Sequence, residues 1–354
     1  MAFLLFLRDI CILKLTLDKK MKFRNAIILF ASLVLTILPS CHKKDDETIT
    51  YNYLTGTPSF EMPIFVDKGE SFTLTPKGIT NPTGDVGYYW TASWDNIRDT
   101  VKTEGGAGDG SWTVTVPNSI GSYTIKVTAF AKDYVPSNYN NSFTVVDPSI
   151  DGSLTRAGYQ VDSSRFIDPR DGSTYYLATG GGNVWMQNNL SYAGSGVSYE
   201  YSPAMDKIAG RMYTWNEAVN ACPEGWRLPS DKDFAALATS ATGTEFNAGQ
   251  TFNGAAGAFM VDAYFNDGKM WTFWPEVKIT NKAKFCAIPL GYAIDQEESR
   301  KYTGTDVYAV FWTSDSDEDS GVYRYIHVEK SDVFASSGDK DSFRAFVRCV
   351  KDKE

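Results

Sequence analysis

Three acidic residues at alternate positions are the densest set of candidate metal ligands in this sequence. Asp315, Asp317 and Asp319 lie in the acidic run 315–321. Carboxylates at every second residue of a turning loop can converge on Ca²⁺, which takes six to eight oxygen ligands. The run lacks the glycine and the glutamate that a calcium loop carries at its sixth and twelfth positions. A solvated acidic loop between two strands is therefore favoured, and Ca²⁺ is the one cofactor that the sequence suggests.

Aromatic side chains are the candidate ligand contacts. Trp271 and Trp274 form a compact patch in residues 269–275, and Trp312, Tyr323 and Tyr325 flank the acidic run. Flat rings can pack on pyranose sugars or anchor a protein partner. Aromatic side chains also fill protein cores, so burial is the competing interpretation.

Groups for covalent or acid–base catalysis are scarce. The two histidines, His42 and His327, are far apart, which excludes a paired-histidine zinc protease. Cys286 has no basic neighbour in sequence that would activate its thiol. The glycines at 180–182 precede a predicted strand, whereas a phosphate loop precedes a helix. The sequence therefore predicts a protein that is not an enzyme.

The first forty residues predict a signal peptide. A short basic start at Met21 is followed by a nearly continuous apolar stretch from Ala26 to Leu38, too short for a comfortable membrane span. The sequence Leu-Pro-Ser-Cys ending at Cys41 resembles a bacterial lipobox, which implies acylation of Cys41. An ordinary secretory signal is the alternative, and translation could begin at Met21 rather than Met1.

The residues after Cys41 predict a flexible tether over 41–57. Lysines followed by Asp45, Asp46 and Glu47 resemble the surface-export signal of Bacteroidetes lipoproteins. The whole chain has a net charge of −9, and without residues 1–40 the charge would be near −13. No long basic run occurs, so a nucleic-acid partner is not expected.

Alternating strands punctuated by Gly, Pro, Asn and Asp predict an all-β sandwich over 58–148. Period-two alternation is clearest at 71–75, 112–116 and 123–130. Residues 121–129 resemble a late strand of polycystic-kidney-disease-type and other immunoglobulin-like modules, which most often act as spacers. The turn-rich residues 149–157 predict a linker to a domain at 158–354.

Two capping boxes predict short helices in this C-terminal domain. Thr214 with Glu217 predicts a helix that stops before Pro223, and Ser230 with Asp233 predicts a second one. The second helix should bury an apolar face made by residues 234, 237 and 238. Much of the remaining domain is glycine-rich loop with aromatic strands.

Four blocks in this order identify the domain by resemblance. They lie at residues 181–192, 210–218, 222–229 (Cys-Pro-Glu-Gly-Trp-Arg-Leu-Pro) and 347–350. Together they resemble the Fibrobacter succinogenes major paralogous domain, a family of bacterial surface domains. The resemblance implies an α+β C-type-lectin-like fold. It also implies a Cys222–Cys349 disulfide, which leaves Cys286 as a buried thiol.

The combined prediction is a mixed fold, an immunoglobulin-like sandwich followed by a C-type-lectin-like domain, on a lipoprotein of the outer membrane that faces the cell exterior. Its partners would be the membrane, through the lipid, and a glycan or surface-protein ligand. The tripeptides by which calcium-dependent lectins hold sugars are missing, so fold alone does not imply sugar binding. The alternative function is a structural or assembly subunit of an envelope or pilus complex.

Overall fold

A computed structural model describes residues 51–94, 110–157, 164–272 and 277–353. The described chain is mostly β, with several sheets and few helical residues. The predicted signal peptide, Cys41 and the tether as far as residue 50 lie outside the described residues. The strands of the N-terminal part are β1 (Asn52–Tyr53), β2 (Phe65–Asp67), β3 (Ser71–Leu74), β4 (Gly87–Ala92), β5 (Trp112–Thr115), β6 (Gly121–Phe130), β7 (Tyr134–Val135) and β8 (Ser137–Val146).

The N-terminal part is all β. One sheet has the order β2-β8-β6-β4, β3 pairs with β5, and β1 pairs with β7. The three runs with period-two alternation form β3, β5 and β6, as predicted. Their inward side chains join a core around Trp90, whose indole N–H donates to the carbonyl of Gly110 at 2.8 Å. Because side chains alternate along a strand, the apolar side of each strand lies in this core.

The C-terminal part adds fifteen strands and four short α-helices among the described residues. The strands are β9 (Leu154–Arg156), β10 (Arg165–Ile167), β11 (Thr174–Gly180), β12 (Asn183–Met186), β13 (Val197–Ser198), β14 (Arg211–Tyr213), β15 (Ala263–Phe265), β16 (Gly268–Lys269), β17 (Leu290–Gln296), β18 (Ser299–Thr305), β19 (Tyr308–Ser316), β20 (Ser320–His327), β21 (Val333–Asp339), β22 (Phe343–Phe346) and β23 (Val350–Asp352). The helices are α1 (Asp206–Ala209), α2 (Trp215–Ala221), α3 (Asp231–Thr242) and α4 (Ala256–Phe259), with 3₁₀ turns at Tyr199–Tyr201 and Pro203–Met205.

The largest sheet separates two apolar cores. Its strands follow the order β13-β14-β22-β17-β19-β20-β21, with β18 paired to β17. Along β19, Val310 and Trp312 enter one core, while Ala309 and Phe311 enter the other. A second sheet, β10-β11-β12-β23, carries the chain end back beside β12. Sequence-distant strands thus meet in one sheet.

Both capping boxes form where the sequence predicts them. Thr214 accepts from the backbone N–H of Glu217 at the start of α2, and Ser230 accepts from that of Asp233 at the start of α3. Each carboxylate bonds back to the backbone N–H of its capping residue. The predicted apolar face of α3 is buried at residues 234, 237 and 238. Gly243 ends α3 with φ +79°, a left-handed conformation that favours glycine.

The predicted disulfide is present between Cys222 and Cys349. It links the residue after α2 to the residue before β23, across 127 positions of the chain. Cys286 is a free, buried thiol, as predicted. Burial raises the pKa of this thiol and outweighs the hydrogen bond from Asn281, so Cys286 stays protonated.

A buried arginine anchors the chain end. Arg348 donates to Oδ1 of Asn189 at 2.6 Å and to the carbonyls of Gln187, Phe285 and Cys286. Its guanidinium also lies 4.8 Å from the centroid of the Phe285 ring. Charge-assisted hydrogen bonds to carbonyls offset the desolvation of the cation.

The segment between the two parts is built into the C-terminal fold. Within the predicted linker, β9 pairs antiparallel with β15, with Leu154 opposite Phe265. Leu154 and Val146 belong to the main core of the C-terminal part. The backbone N–H of Ala157 also donates to the carbonyl of Asp262. These contacts fix residues 154–157 against the C-terminal part.

Side chains of the N-terminal part complete the same junction. The Phe65 ring in β2 lies 5.9 Å from Phe265 and 6.1 Å from Tyr199, measured between centroids. The Asn266 amide donates to the carbonyl of Val145 at 3.1 Å. Residues 52–354 accordingly form one compact unit.

Candidate binding surface

Six aromatic side chains form a continuous surface on the largest sheet, here called the aromatic face. It is supplied by five strands: β17, β19, β20, β21 and β22. Successive strand residues point to opposite sides, so Tyr323 and Tyr325 share one side of β20 while Arg324 enters the core on the other. The members of the aromatic face, all half-buried, are Tyr292, Tyr308, Tyr323, Tyr325, Phe334 and Phe343.

Ring stacking holds the aromatic face in place. Tyr323 stacks on Phe343 with centroids 4.8 Å apart and planes 7° apart. Tyr325 stacks on Phe334 at 5.2 Å, and Tyr292 stacks on Phe343 at 5.0 Å, each with planes 22° apart. Side chains stand roughly perpendicular to a sheet, so these contacts cover ring faces and leave the outer ring edges toward solvent.

Trp312 lies beneath the aromatic face and does not present its ring to solvent. Its side chain is fully buried, and its indole N–H donates to the carbonyl of Tyr213 at 2.7 Å. The ring meets Tyr323 and Phe343 edge-on, at centroid distances of 5.8 and 5.4 Å. This corrects the predicted ligand contact: Trp312 shares a side of β19 with Tyr308, but neighbouring side chains cover it, and its ring supports those of Tyr323 and Phe343.

The phenol groups of the aromatic face are free to bond outward. The hydroxyls of Tyr292, Tyr308, Tyr323 and Tyr325 make no hydrogen bond to any described residue. Burial, reinforced by neighbouring tyrosines, raises the pKa of Tyr292 and Tyr325. Both phenols therefore remain neutral, each with one donor and two acceptor positions. Half-buried tyrosine hydroxyls usually have a partner, so four without one are a notable feature of this sheet.

No charged side chain belongs to the aromatic face. Ile294, an exposed residue, extends it beside Phe343, its partner in the strand register. Lys301 pairs with Ile294 and lies at this margin. At the opposite margin the His327 ring lies 4.8 Å from Tyr308, and its Nδ1 accepts from the backbone N–H of Glu329. The surface is thus apolar and hydroxyl-rich within an acidic chain.

The acidic loop uses its carboxylates as turn caps. Asp315 accepts from the backbone N–H of Asp231 at 2.7 Å, and Asp317 accepts from those of Asp319 and Ser320. The Lys340 ammonium donates to the carbonyls of Asp317 and Glu318, so a lysine already supplies positive charge there. Among the described residues, no three Asp, Glu, His or Cys side chains are grouped to hold a metal ion. Calcium binding at Asp315, Asp317 and Asp319 stays a prediction.

Trp271 is also a core residue. It is fully buried, and its indole N–H donates to the carbonyl of Ala287 at 3.1 Å. Its ring therefore has no face for a ligand, which corrects the second predicted tryptophan contact. Trp274 lies outside the described residues. Tyr323 and Tyr325 do come together, with centroids 6.0 Å apart.

Four members of the aromatic face are not predicted from the sequence as ligand contacts. Tyr292, Tyr308, Phe334 and Phe343 lie on four different strands, and only the sheet order brings them beside Tyr323. The available signal is weak: each is an aromatic residue near the end of an alternating run.

A cavity of about 390 Å³ lies beside the junction. It is lined by the turns at 148–151 and 171–174 and by polar side chains that include Asn188, Asn189 and Ser191. These groups bond within the protein: Asn188 bridges the backbones of Tyr176 and Thr174, and Ser191 bonds Tyr175. Asn188 and Ser191 are therefore engaged within the protein.

The C-terminal part is β-rich, with Cys349 tied to Cys222 by a disulfide and an aromatic surface on its largest sheet. Comparison with known families gives one match. Residues 179–351 match the model of the Fibrobacter succinogenes major domain. This region therefore belongs to the family that the four sequence blocks resemble. No curated protein and no solved structure matches the chain. In the part of the chain that the structure describes, no helix is long and apolar enough to cross a membrane.

Proposed function

We propose that this chain is a lipid-anchored outer-membrane protein that displays a non-enzymatic binding domain at the cell surface. The ligand would be a glycan or a surface protein, and the aromatic face would be its contact. This surface of six half-buried rings supports the proposal, since four of its phenols have no hydrogen-bond partner in the part of the chain that the structure describes. Tyrosine-rich surfaces give large, rigid contact areas at low entropic cost.

The location rests on the sequence up to Cys41 and on membership of the region 179–351 in its family. Mass spectrometry of the mature N-terminus should find an acylated Cys41, with residues 1–40 removed. Protease treatment of intact cells should then cleave the chain from outside. An unmodified Cys41, or a chain protected in intact cells and cleaved only after lysis, would contradict the surface proposal.

For the fold, we propose an immunoglobulin-like N-terminal part and a C-type-lectin-like C-terminal domain. The first is supported by two small sheets around one core. The second is supported by short helices, long loops and a disulfide that joins the chain end to α2. A crystal structure compared with both fold classes would test this proposal.

The non-enzymatic assignment is supported by the state of the free thiol. Cys286 is buried and its pKa is raised by that burial, which is the reverse of a catalytic cysteine. Hydrolysis of a bound glycan or peptide by the purified chain would overturn this assignment.

A structural or assembly role is the second candidate. It is favoured by the junction, where the Phe65 contacts and the β9–β15 pairing join the two parts as one compact unit suited to bear load. Crosslinking of intact cells separates the two roles. A stoichiometric envelope or pilus partner would support assembly, whereas ligand capture from added material would support surface binding.

Substitution of the aromatic face tests the main proposal directly. The full chain with Tyr323→Ala and Tyr325→Ala should lose binding to glycan arrays or host-matrix proteins. Tyr51→Ala with Tyr53→Ala is the matched control, because both tyrosines are exposed and neither belongs to the strands of the largest sheet. Equal binding by both double variants would remove the aromatic face from the function.

A further inference from the structure

We infer that the aromatic face takes an uncharged oligosaccharide, held by hydrogen bonds from the phenol ends rather than by stacking on ring faces. This inference rests on the proposed binding function and narrows it to one ligand class. It depends on three features of the same surface: hydroxyls without a partner among the described residues, ring faces covered by stacking, and no charged side chain among its six members.

The hydroxyls provide the first argument. Tyr292, Tyr308, Tyr323 and Tyr325 present four phenols without a described partner from three neighbouring strands. Each can donate one and accept two hydrogen bonds, which matches the dense donors and acceptors of sugar hydroxyls. Tyr308 lies 6.0 Å from both Tyr292 and Tyr325 between ring centroids, so neighbouring phenols could engage neighbouring hydroxyls of one chain.

The ring geometry provides the second argument. The Phe343 ring stacks with both Tyr323 and Tyr292, which covers one face of each tyrosine ring. Tyr325 has one face against Phe334. A pyranose cannot lie flat on a ring whose faces are covered. The ligand therefore meets ring edges and phenol oxygens, and the rings act mainly to hold those oxygens in place.

The charge distribution provides the third argument. The chain is strongly acidic, yet the aromatic face carries no carboxylate. An anionic polysaccharide would be repelled by the surrounding protein, whereas a neutral one is not. A protein docked through apolar area would behave differently, because it would use the rings and would not need the hydroxyls.

Removal of three hydroxyls, with the rings retained, separates these ligands. The full chain is purified in detergent with Tyr308→Phe, Tyr323→Phe and Tyr325→Phe together. The control triple, Tyr51→Phe, Tyr53→Phe and Tyr264→Phe, changes exposed tyrosines elsewhere. Near-ultraviolet circular dichroism establishes that both variants keep native packing. Calorimetric titration then uses hexasaccharides of cellulose, chitin, mannan and xylan, with polygalacturonate as the anionic comparison.

At least one neutral hexasaccharide should bind the unaltered chain, with little change between 50 and 500 mM salt. The Phe triple should weaken that binding at least about tenfold, because each lost hydrogen bond contributes a few-fold in affinity. The control triple should leave it unchanged. Unchanged affinity in the Phe triple overturns the inference, as does binding of polygalacturonate alone or of no member at millimolar concentration.

A photo-crosslinking residue at position 334 distinguishes failure of this inference from failure of the proposed function. Capture of a surface protein that the Phe triple still binds would overturn the oligosaccharide assignment and leave the binding role standing. Absence of both protein capture and glycan binding would overturn the oligosaccharide inference and the proposed binding function together.

Discussion

Truncation of Leu154 should destabilise the whole unit of residues 52–354, although Leu154 precedes the family match at residue 179. Its side chain is 8% exposed and enters the main core of the C-terminal part. Leu154→Ala would leave a cavity opposite Phe265, its partner in the β9–β15 register. Phe65 packs on Phe265 from the N-terminal part, so the defect touches both sides of the junction.

The structure sets the expected magnitude. Buried Leu→Ala substitutions cost about 2–5 kcal/mol, and a short strand near the core margin should lie toward the lower end, about 2–3 kcal/mol. If residues 52–354 unfold together, the entropy of unfolding is roughly 0.6 kcal/mol/K, from about 2.1 cal/mol/K per residue. The expected fall in Tm is therefore about 3–5 °C.

Calorimetry and hydrogen exchange test whether Leu154→Ala destabilises both parts of the unit together. The full chain with Leu154→Ala should show one transition at lower temperature, with β6 and β19 peptides losing protection in parallel. Ile150→Ala is the matched control, since Ile150 is 51% exposed on the preceding turn and should shift Tm by less than about 1 °C. Two separate transitions, with only one displaced, would refute the reasoning that the junction couples the two parts.

Three further substitutions test the core and the caps. The double variant Cys222→Ala, Cys349→Ala removes the disulfide and should lower the free energy of unfolding by about 5 kcal/mol in the chain-entropy model. Urea unfolding measures this difference, and a loss below about 1 kcal/mol would contradict the prediction. The buried Arg324 guanidinium donates to the Asp231 carboxylate at 2.8 Å. Asp231→Asn removes that carboxylate and should lower the free energy of unfolding by about 3–5 kcal/mol. The double variant Asp231→Leu, Arg324→Met should lower it by less, because it leaves no buried charge unpaired. Burial opposes ionisation of Asp233, but the Arg227 and Ser230 bonds outweigh it and lower its pKa to about 2. The ionised Asp233 carboxylate stabilises the fold above its ordinary pKa near 4, and this stabilisation is lost as the pH falls toward 2. The urea midpoints of the unaltered chain and of Asp233→Asn should therefore converge at pH 2.

Local chemistry explains what the sequence predicts well. The capping boxes at Thr214 and Ser230 involve residues three positions apart, so their geometry follows from the sequence spacing. The Cys222–Cys349 pair is different, because 127 positions separate its members. It was predictable only through the family resemblance, since pairing among several cysteines does not follow from sequence alone.

Contacts between sequence-distant residues also explain why the predicted ligand contacts at Trp271 and Trp312 are wrong. Alternation along residues 308–312 shows that Trp312 and Tyr308 share a side of β19. It does not show how far a helix covers that side. In the structure, Trp312 lies under neighbouring side chains and Tyr308 lies nearer the uncovered margin. Burial of an aromatic residue is decided by the packing of sequence-distant elements.

The aromatic face follows from sheet order more than from any sequence motif. Phe343 of β22 stacks with Tyr292 of β17 and with Tyr323 of β20, although fifty-one positions separate Tyr292 from Phe343. The stacked rings, the free phenols and the missing charge are therefore properties that appear together only in the folded sheet. Since one strand fixes the rings of its neighbours, a single ring deletion should disturb several phenols at once, whereas a single hydroxyl deletion should remove only its own hydrogen bond. That difference is why the Tyr→Phe series, rather than Tyr→Ala, is the sharper measure of what the surface recognises.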